Sequence, residues 1–184
     1  SGFYDQTKFH RIIKDFIIQG GDINSRDSDP QNDGFGSAGW TIDAEFNNIS
    51  HKRGILSMSH SGDPNSASSQ FFICVTDSPH LDGQFTPFGE VIDRVHIIDH
   101  IANTPTNYMV VKRRSIKKIP EGDSLDKYIN IIDPKSDDIL FVKVPKYANK
   151  NEFKYEMESK IKSDAPSLPL VIEKIRIFEG SEDE

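Results

Sequence analysis

At 184 residues, with 35% hydrophobic side chains, 12 Phe, five Tyr and one Trp, the chain can build a core and is too apolar for a disordered polymer. Its formal charge of −7 argues against a general nucleic-acid-binding surface. No apolar run approaches the ~20 residues a spanning helix needs; no signal peptide is visible, though the chain opens abruptly on SGFYD and a processed or truncated start would have removed one, and a single cysteine excludes an intramolecular disulfide while leaving the compartment open.

The first long apolar run, FHRIIKDFIIQGGD from Phe9 to Asp22, reads two ways. Phe9, Ile12, Ile13, Phe16 and Ile17 fall on a helical stripe. Ile and Phe favour pleated surfaces, however, and Lys14-Asp15 makes a turn between FHRII and FIIQ, so two short strands fit equally well. GILSM (54–58) and SQFFICV (69–75) read as buried strands on either side of the small-residue loop SHSGDPNSAS, with Cys74 as a buried, inert thiol. FTPFGEVI, from Phe85, reads as another strand. Asp93 is placed to cap a short helix, RVHIIDHIA, with Val95, Ile98 and Ala102 on its apolar face.

Composition shifts at about 103–169, where Lys, Asp and Asn dominate and prolines punctuate the chain. Within this stretch ILFVKV (139–144) alternates as a strand, and NEFKYEMESKI aligns Phe153, Met157 and Ile161 on one helical face. LVIEKIRIF (170–178) reads as a final strand before an acidic tail at 179–184, expected to be disordered.

Several familiar chemistries fail. Asp29 to Gly34 imitates the start of a calcium loop, but the twelfth position, which needs a bidentate acid, is Trp40. His96 and His100 are four residues apart without a neighbouring glutamate or a third ligand, so no metal is expected. No Gly-x-Ser-x-Gly elbow and no phosphate-binding glycine loop occur. The basic run KRRSIKK (112–118) contains no stacking aromatics and reads as a solvated surface or a contact for an acidic partner. Asn48-Ile49-Ser50 matches a glycosylation triplet that matters only in a eukaryotic secretory protein. What survives is a set of polar side chains, Arg11, Gln19 and Gln70, near Phe16, Phe71 and Phe72. A shallow apolar pocket with a few donors beside it would suit an uncharged amide.

FHRIIKDFIIQGGD, GILSMSHSGDPNSASSQFFI and HLDGQFTPFGEVID, in this order and spacing, resemble the cyclophilins, a family of peptidyl-prolyl cis–trans isomerases. The resemblance covers residues 1–102 and, more weakly, LVIEKIRI. It implies a mainly β fold, a closed eight-stranded antiparallel barrel with flanking helices, and hence two strands in the opening run. It also implies a single domain across 1–184, carrying an α/β insertion at about 103–169, with the family's first strands expected ahead of Ser1 in the natural protein. Implied with it are a monomer and isomerisation of X–Pro bonds in peptides and unfolded chains, without cofactor, metal, nucleic acid or membrane span.

Rotation about an X–Pro bond faces a barrier of ~18–20 kcal/mol because amide resonance is lost. A donor that stabilises the pyramidal prolyl nitrogen lowers that barrier, and a guanidinium stays protonated at working pH. By resemblance Arg11 is that donor. Phe16, Ile17, Phe72 and Leu81 line the proline pocket, Gln19 holds a substrate carbonyl, and Gln70 supports Arg11 or the substrate. The backbone of Ser59 and His60 pins the flanking peptide. Departures from well-known members are Ile17 for methionine, His60 for asparagine, His80 for tryptophan and Phe85 for histidine; His80 in particular implies weak binding of cyclosporin, the family's cyclic peptide inhibitor. The alternative is a non-catalytic module that binds proline peptides in the same pocket, and a third reading places a partner contact on the 103–169 stretch.

Overall fold

The computed structural model describes residues 2–173. Of these, 2–103 with 169–173 make one compact unit and 104–168 make another. The acidic tail and most of LVIEKIRIF lie outside the described residues.

In the first unit five strands form one antiparallel sheet: β1 (Arg11–Ile13), β2 (Ile17–Gly20), β3 (Ile55–Met58), β4 (Phe71–Cys74) and β5 (Pro87–Glu90), in the order β1-β2-β4-β3-β5. The opening run is therefore a hairpin. Asp15 takes a φ of 58° at its tip, a left-handed conformation that Asp tolerates and a continuing helix cannot use. The apparent helical stripe arises because both faces of this hairpin are apolar. Ile12 and Ile18 point to one side, Ile13 and Ile17 to the other, in register across the pair.

The first side packs Ile12, Ile18, Phe71 and Ile73 against Ile98 and Ala102 of the short helix α1 (His96–Ala102) and against Ile172. Residues 170–172 run beside 6–9, where Ile172 N–H donates to the Thr7 carbonyl at 2.7 Å and Phe9 N–H to that of Leu170 at 3.0 Å. Burial of each of these aliphatic side chains is worth about 1.5–3 kcal/mol. The other side carries Ile17, Phe72, Cys74 and Leu81, with Ile13, Phe16 and Phe85 partly covered. Burial pushes the Cys74 thiol up to about 11, consistent with an unreactive core group.

Some local expectations need correction. Asp93 does not cap α1; its carboxylate accepts from the N–H of Arg94 at 2.7 Å, and Val95 occupies the cap position. FTPFGEVI contributes only four residues of strand. The sheet of the first unit is open among the described residues, with β1 and β5 as its edges, so these five strands do not make the closed barrel.

The second unit runs α2 (Asn107–Arg114), β6 (Ser115–Ile116), β7 (Tyr128–Ile132), β8 (Ile139–Lys143) and α3 (Lys150–Ile161). Its sheet has the order β6-β8-β7. Leu140 and Val142 alternate inward to meet Ile129, Ile131, Val111 and the α3 stripe of Phe153, Met157 and Ile161. Asn149 caps α3 through its side-chain oxygen. The basic run is partly consumed by the fold: Lys112 binds the fully buried Asp133, and Lys117 pairs with Asp138 at 2.7 Å.

Ile18 is fully enclosed in the first core. Ile18→Ala should lower unfolding free energy by about 2–5 kcal/mol in urea titrations, and a loss under about 1 kcal/mol would contradict the packing described.

Candidate active site

Register brings the site together. Arg11 on β1 stands opposite Gln19 on β2, Gln19 opposite Phe72 on β4, and Phe72 opposite Ser57 on β3. Because antiparallel partners share a face, these four side chains form one row across the sheet. The next row, Ile13, Ile17 and Cys74, is apolar.

The Gln19 carboxamide is the hub of the polar part. Its oxygen accepts from Arg11 Nη1 at 3.3 Å. Its nitrogen donates to Ser59 Oγ at 3.2 Å and to Gln70 Oε1 at 3.0 Å, so both amide hydrogens are committed. Gln70 in turn donates to the carbonyls of Gly34 and Gly36, each at 2.9 Å. That loop is held by the fully buried Asp22, whose carboxylate accepts from the N–H groups of Gly34 and of Asn24. A Cβ on Gly36 would lie 1.9 Å from an Asp22 oxygen, and one on Gly21, where φ is 83°, would lie 2.4 Å from the Ser69 carbonyl. The QGGD sequence thus builds the foundation of the network as well as one of its members. Arg11 is exposed, and among the described residues no carboxylate forms an ion pair with it.

The apolar part adjoins this row. Phe72 and Leu81 are buried, with Phe85 edge-on to Phe72 at 5.4 Å between centroids. Phe16 stacks on His80 at 5.4 Å, and His60 stacks on Phe85 at 4.4 Å. His60 also donates from Nε2 to the Gln84 carbonyl at 3.0 Å. A neighbouring cavity of 360 Å³ is lined in part by Gln19, Phe35, Ser59, His60, Ser61 and Gln70.

The residues singled out in the sequence therefore fall in two adjoining groups. Arg11, Gln19, Ser59 and Gln70 share hydrogen bonds; Phe16, Ile17, Phe72, Leu81 and Phe85 share an apolar cluster, with His60 and His80 stacked at its margins. Within the protein, Gln70 hydrogen-bonds Gln19, and the Ser59 N–H donates to the Gln70 carbonyl at 3.0 Å while the Ser59 hydroxyl accepts from Gln19. Asp22, Phe35, His51 and Asp82 were not read from the sequence as parts of the site. The acid ending QGGD is the one of these with a local signal, since a carboxylate after two glycines can hold a turn.

Asp82 secures the turn that carries His80 and Leu81. It accepts from the His51 N–H at 2.8 Å, from His51 Nδ1 at 2.8 Å and from Ser50 Oγ at 2.8 Å. These bonds, the His51 backbone donor first, hold its carboxyl down to about 2.

The family model described as cyclophilin type peptidyl-prolyl cis-trans isomerase/CLD matches residues 1–120. A peptidyl-prolyl cis-trans isomerase of Synechococcus elongatus is 46% identical over 92 residues, covering 50% of this chain and 58% of the relative. Isomerase CYP18-1 of Arabidopsis thaliana is 43% identical over 113 residues, 58% of this chain and 64% of the relative. Isomerase 9 of Caenorhabditis elegans is 45% identical over 101 residues, 54% of this chain and 31% of the relative, so the chain spans 31% to 64% of the length of these proteins. Among solved structures, the cyclophilin-type isomerase of Cryptosporidium parvum is similar with a TM-score of 0.50 and 32% identity, over 78% of each chain.

The pH dependence of the Asp82 tie follows from its sign. A folded carboxyl held at about 2, below the ~3.9 of an unfolded Asp, adds stability that is complete above the unfolded value and lost as pH falls through the folded one. The difference in urea midpoint between the parent protein and Asp82→Ala should be constant above about pH 5, shrink as pH falls, and vanish only toward about pH 1. A difference that persists unchanged into acid would contradict the bonds described.

Proposed function

This chain belongs to the cyclophilin-type peptidyl-prolyl cis–trans isomerase family, and on that premise we propose that the Arg11–Gln19 row and the adjoining apolar cluster catalyse rotation about X–Pro bonds in peptides and unfolded chains. The observation that carries the reading is a guanidinium free of any carboxylate among the described residues, oriented by a carboxamide and set in one strand row with Phe72.

The reaction makes and breaks no covalent bond, so it needs no nucleophile. Phe16, Phe72, Leu81 and Phe85 would receive the pyrrolidine ring, whose transfer from water favours binding in every isomer. As the amide twists, conjugation is lost and the prolyl nitrogen gains a lone pair. Arg11 donates to that lone pair, which exists only in the twisted state, so the bond is stronger there than in either planar form. A preorganised donor of this kind is worth roughly 2.7–4 kcal/mol, or about 10²–10³ in rate. Gln19 cannot also donate to a substrate carbonyl without surrendering Ser59 or Gln70. Its role in this reading is to aim Arg11. Residues flanking the proline would lie along the cavity between Phe35 and Ser59. The same reading extends the open sheet to the family's closed barrel, with closure running across the β1 and β5 edges.

Arg11→Ala should lower kcat/KM for a proline peptide by about 10²–10³ in a protease-coupled assay while leaving peptide affinity within about threefold. Equal rates would remove Arg11 from the mechanism. His80 presents a small ring, already stacked on Phe16, at the outer margin of the pocket. Cyclosporin should accordingly bind weakly, and a nanomolar dissociation constant by calorimetry would contradict that.

A further inference from the structure

We propose that His51 is a positioning residue that ties the wall of the apolar pocket to its floor, and so sets how tightly a prolyl ring is held; this rests on the reading of the pocket given above. His51 is fully buried and all four of its polar groups are engaged. Its N–H donates to Asp82 Oδ1 at 2.8 Å, and its carbonyl accepts from the N–H of Ser78 at 2.7 Å. Nδ1 lies 2.8 Å from Asp82 Oδ1 and Nε2 lies 2.9 Å from Ser57 Oγ. Ser78 and Asp82 bracket the turn Pro79–Leu81, so both ends of the segment carrying His80 and Leu81 hang on this one residue. On the floor side, the imidazole is stacked near-parallel to Phe72, 6.1 Å between centroids, and binds Ser57, which stands opposite Phe72 in the sheet.

A carboxylate only accepts, so Nδ1 carries the proton. In the neutral ring Nε2 then accepts from the Ser57 hydroxyl. Ser57, His51 and Asp82 have the connectivity of a hydrolytic triad, but Ser57 is fully buried, and no acyl group could reach its oxygen. The constellation is a brace, joining a loop to a sheet through a side chain with no freedom to turn.

The test uses Asp82→Ala, His51→Gln and His51→Asn, with peptide affinity measured directly by titration of a short Ala-Pro peptide. The Asn amide falls near the position of Nδ1 and can keep the Asp82 bond; the Gln amide falls near Nε2 and keeps only Ser57. Asp82→Ala and His51→Gln should raise Kd about tenfold with kcat within about twofold, because wall contacts act on planar and twisted amides alike. His51→Asn should stay within about threefold of the parent protein. Asp82 is partly exposed, so its variant should fold even where a His51 variant does not. A Kd unchanged in Asp82→Ala, with the parent protein binding peptide, overturns this proposal alone. Peptide binding without isomerisation by the parent protein overturns the isomerase reading and leaves the brace standing; no binding at all overturns both. A long-range ¹H–¹⁵N spectrum placing the imidazole proton on Nε2 instead of Nδ1 would also overturn it.

Discussion

Three antiparallel strands in fixed register put a cation, a carboxamide and a phenyl ring side by side on one face of a sheet. A slip of one residue in β2 would send Gln19 to the opposite face and bring Ile18 to this one, severing the polar row and opening the core at once. The register is strongly specified because both faces of β2 are buried, Ile18 against α1 and Ile17 against Phe72 and Leu81. Folding energy and site geometry are therefore set by the same contacts.

From that row a continuous set of hydrogen bonds leads inward: Arg11 to Gln19, Gln19 to Gln70, Gln70 to the carbonyls of Gly34 and Gly36, and that loop to Asp22. Each link leaves its donor with fewer alternatives, and the last group is wholly removed from water. An exposed arginine loses conformational freedom when ordered, a cost set here when the protein folds and not when a substrate arrives. The apolar wall is anchored separately, through His51 and Asp82. The guanidinium and the apolar surface thus have independent supports, so substitutions in one need not disturb the other.

Much of this was legible in the sequence, for physical reasons. Arg11 and Gln19 stand out because polar groups inside apolar runs must be paired or used. The buried strands at 55–58 and 71–74 show as short runs bounded by turn residues. The alternation in ILFVKV and the stripe of Phe153, Met157 and Ile161 each have one buried face to report. The hairpin at Phe9 to Asp22 was ambiguous because a strand buried on both faces loses its period of two. His51, Asp82 and the 34–36 loop were hidden for a different reason. Their bonds span 31 residues or lead to backbone carbonyls, and neither leaves a local pattern. The cap expected of Asp93 failed because the next N–H takes its carboxylate first.

The central claim is that one guanidinium, held by one carboxamide, supplies the acceleration. A double-mutant cycle on kcat/KM with Arg11→Ala, Gln19→Ala and the pair tests it most directly. If Gln19 acts by aiming Arg11, the pair should lose no more than Arg11→Ala alone; losses that multiply would show two independent contributions and contradict the account.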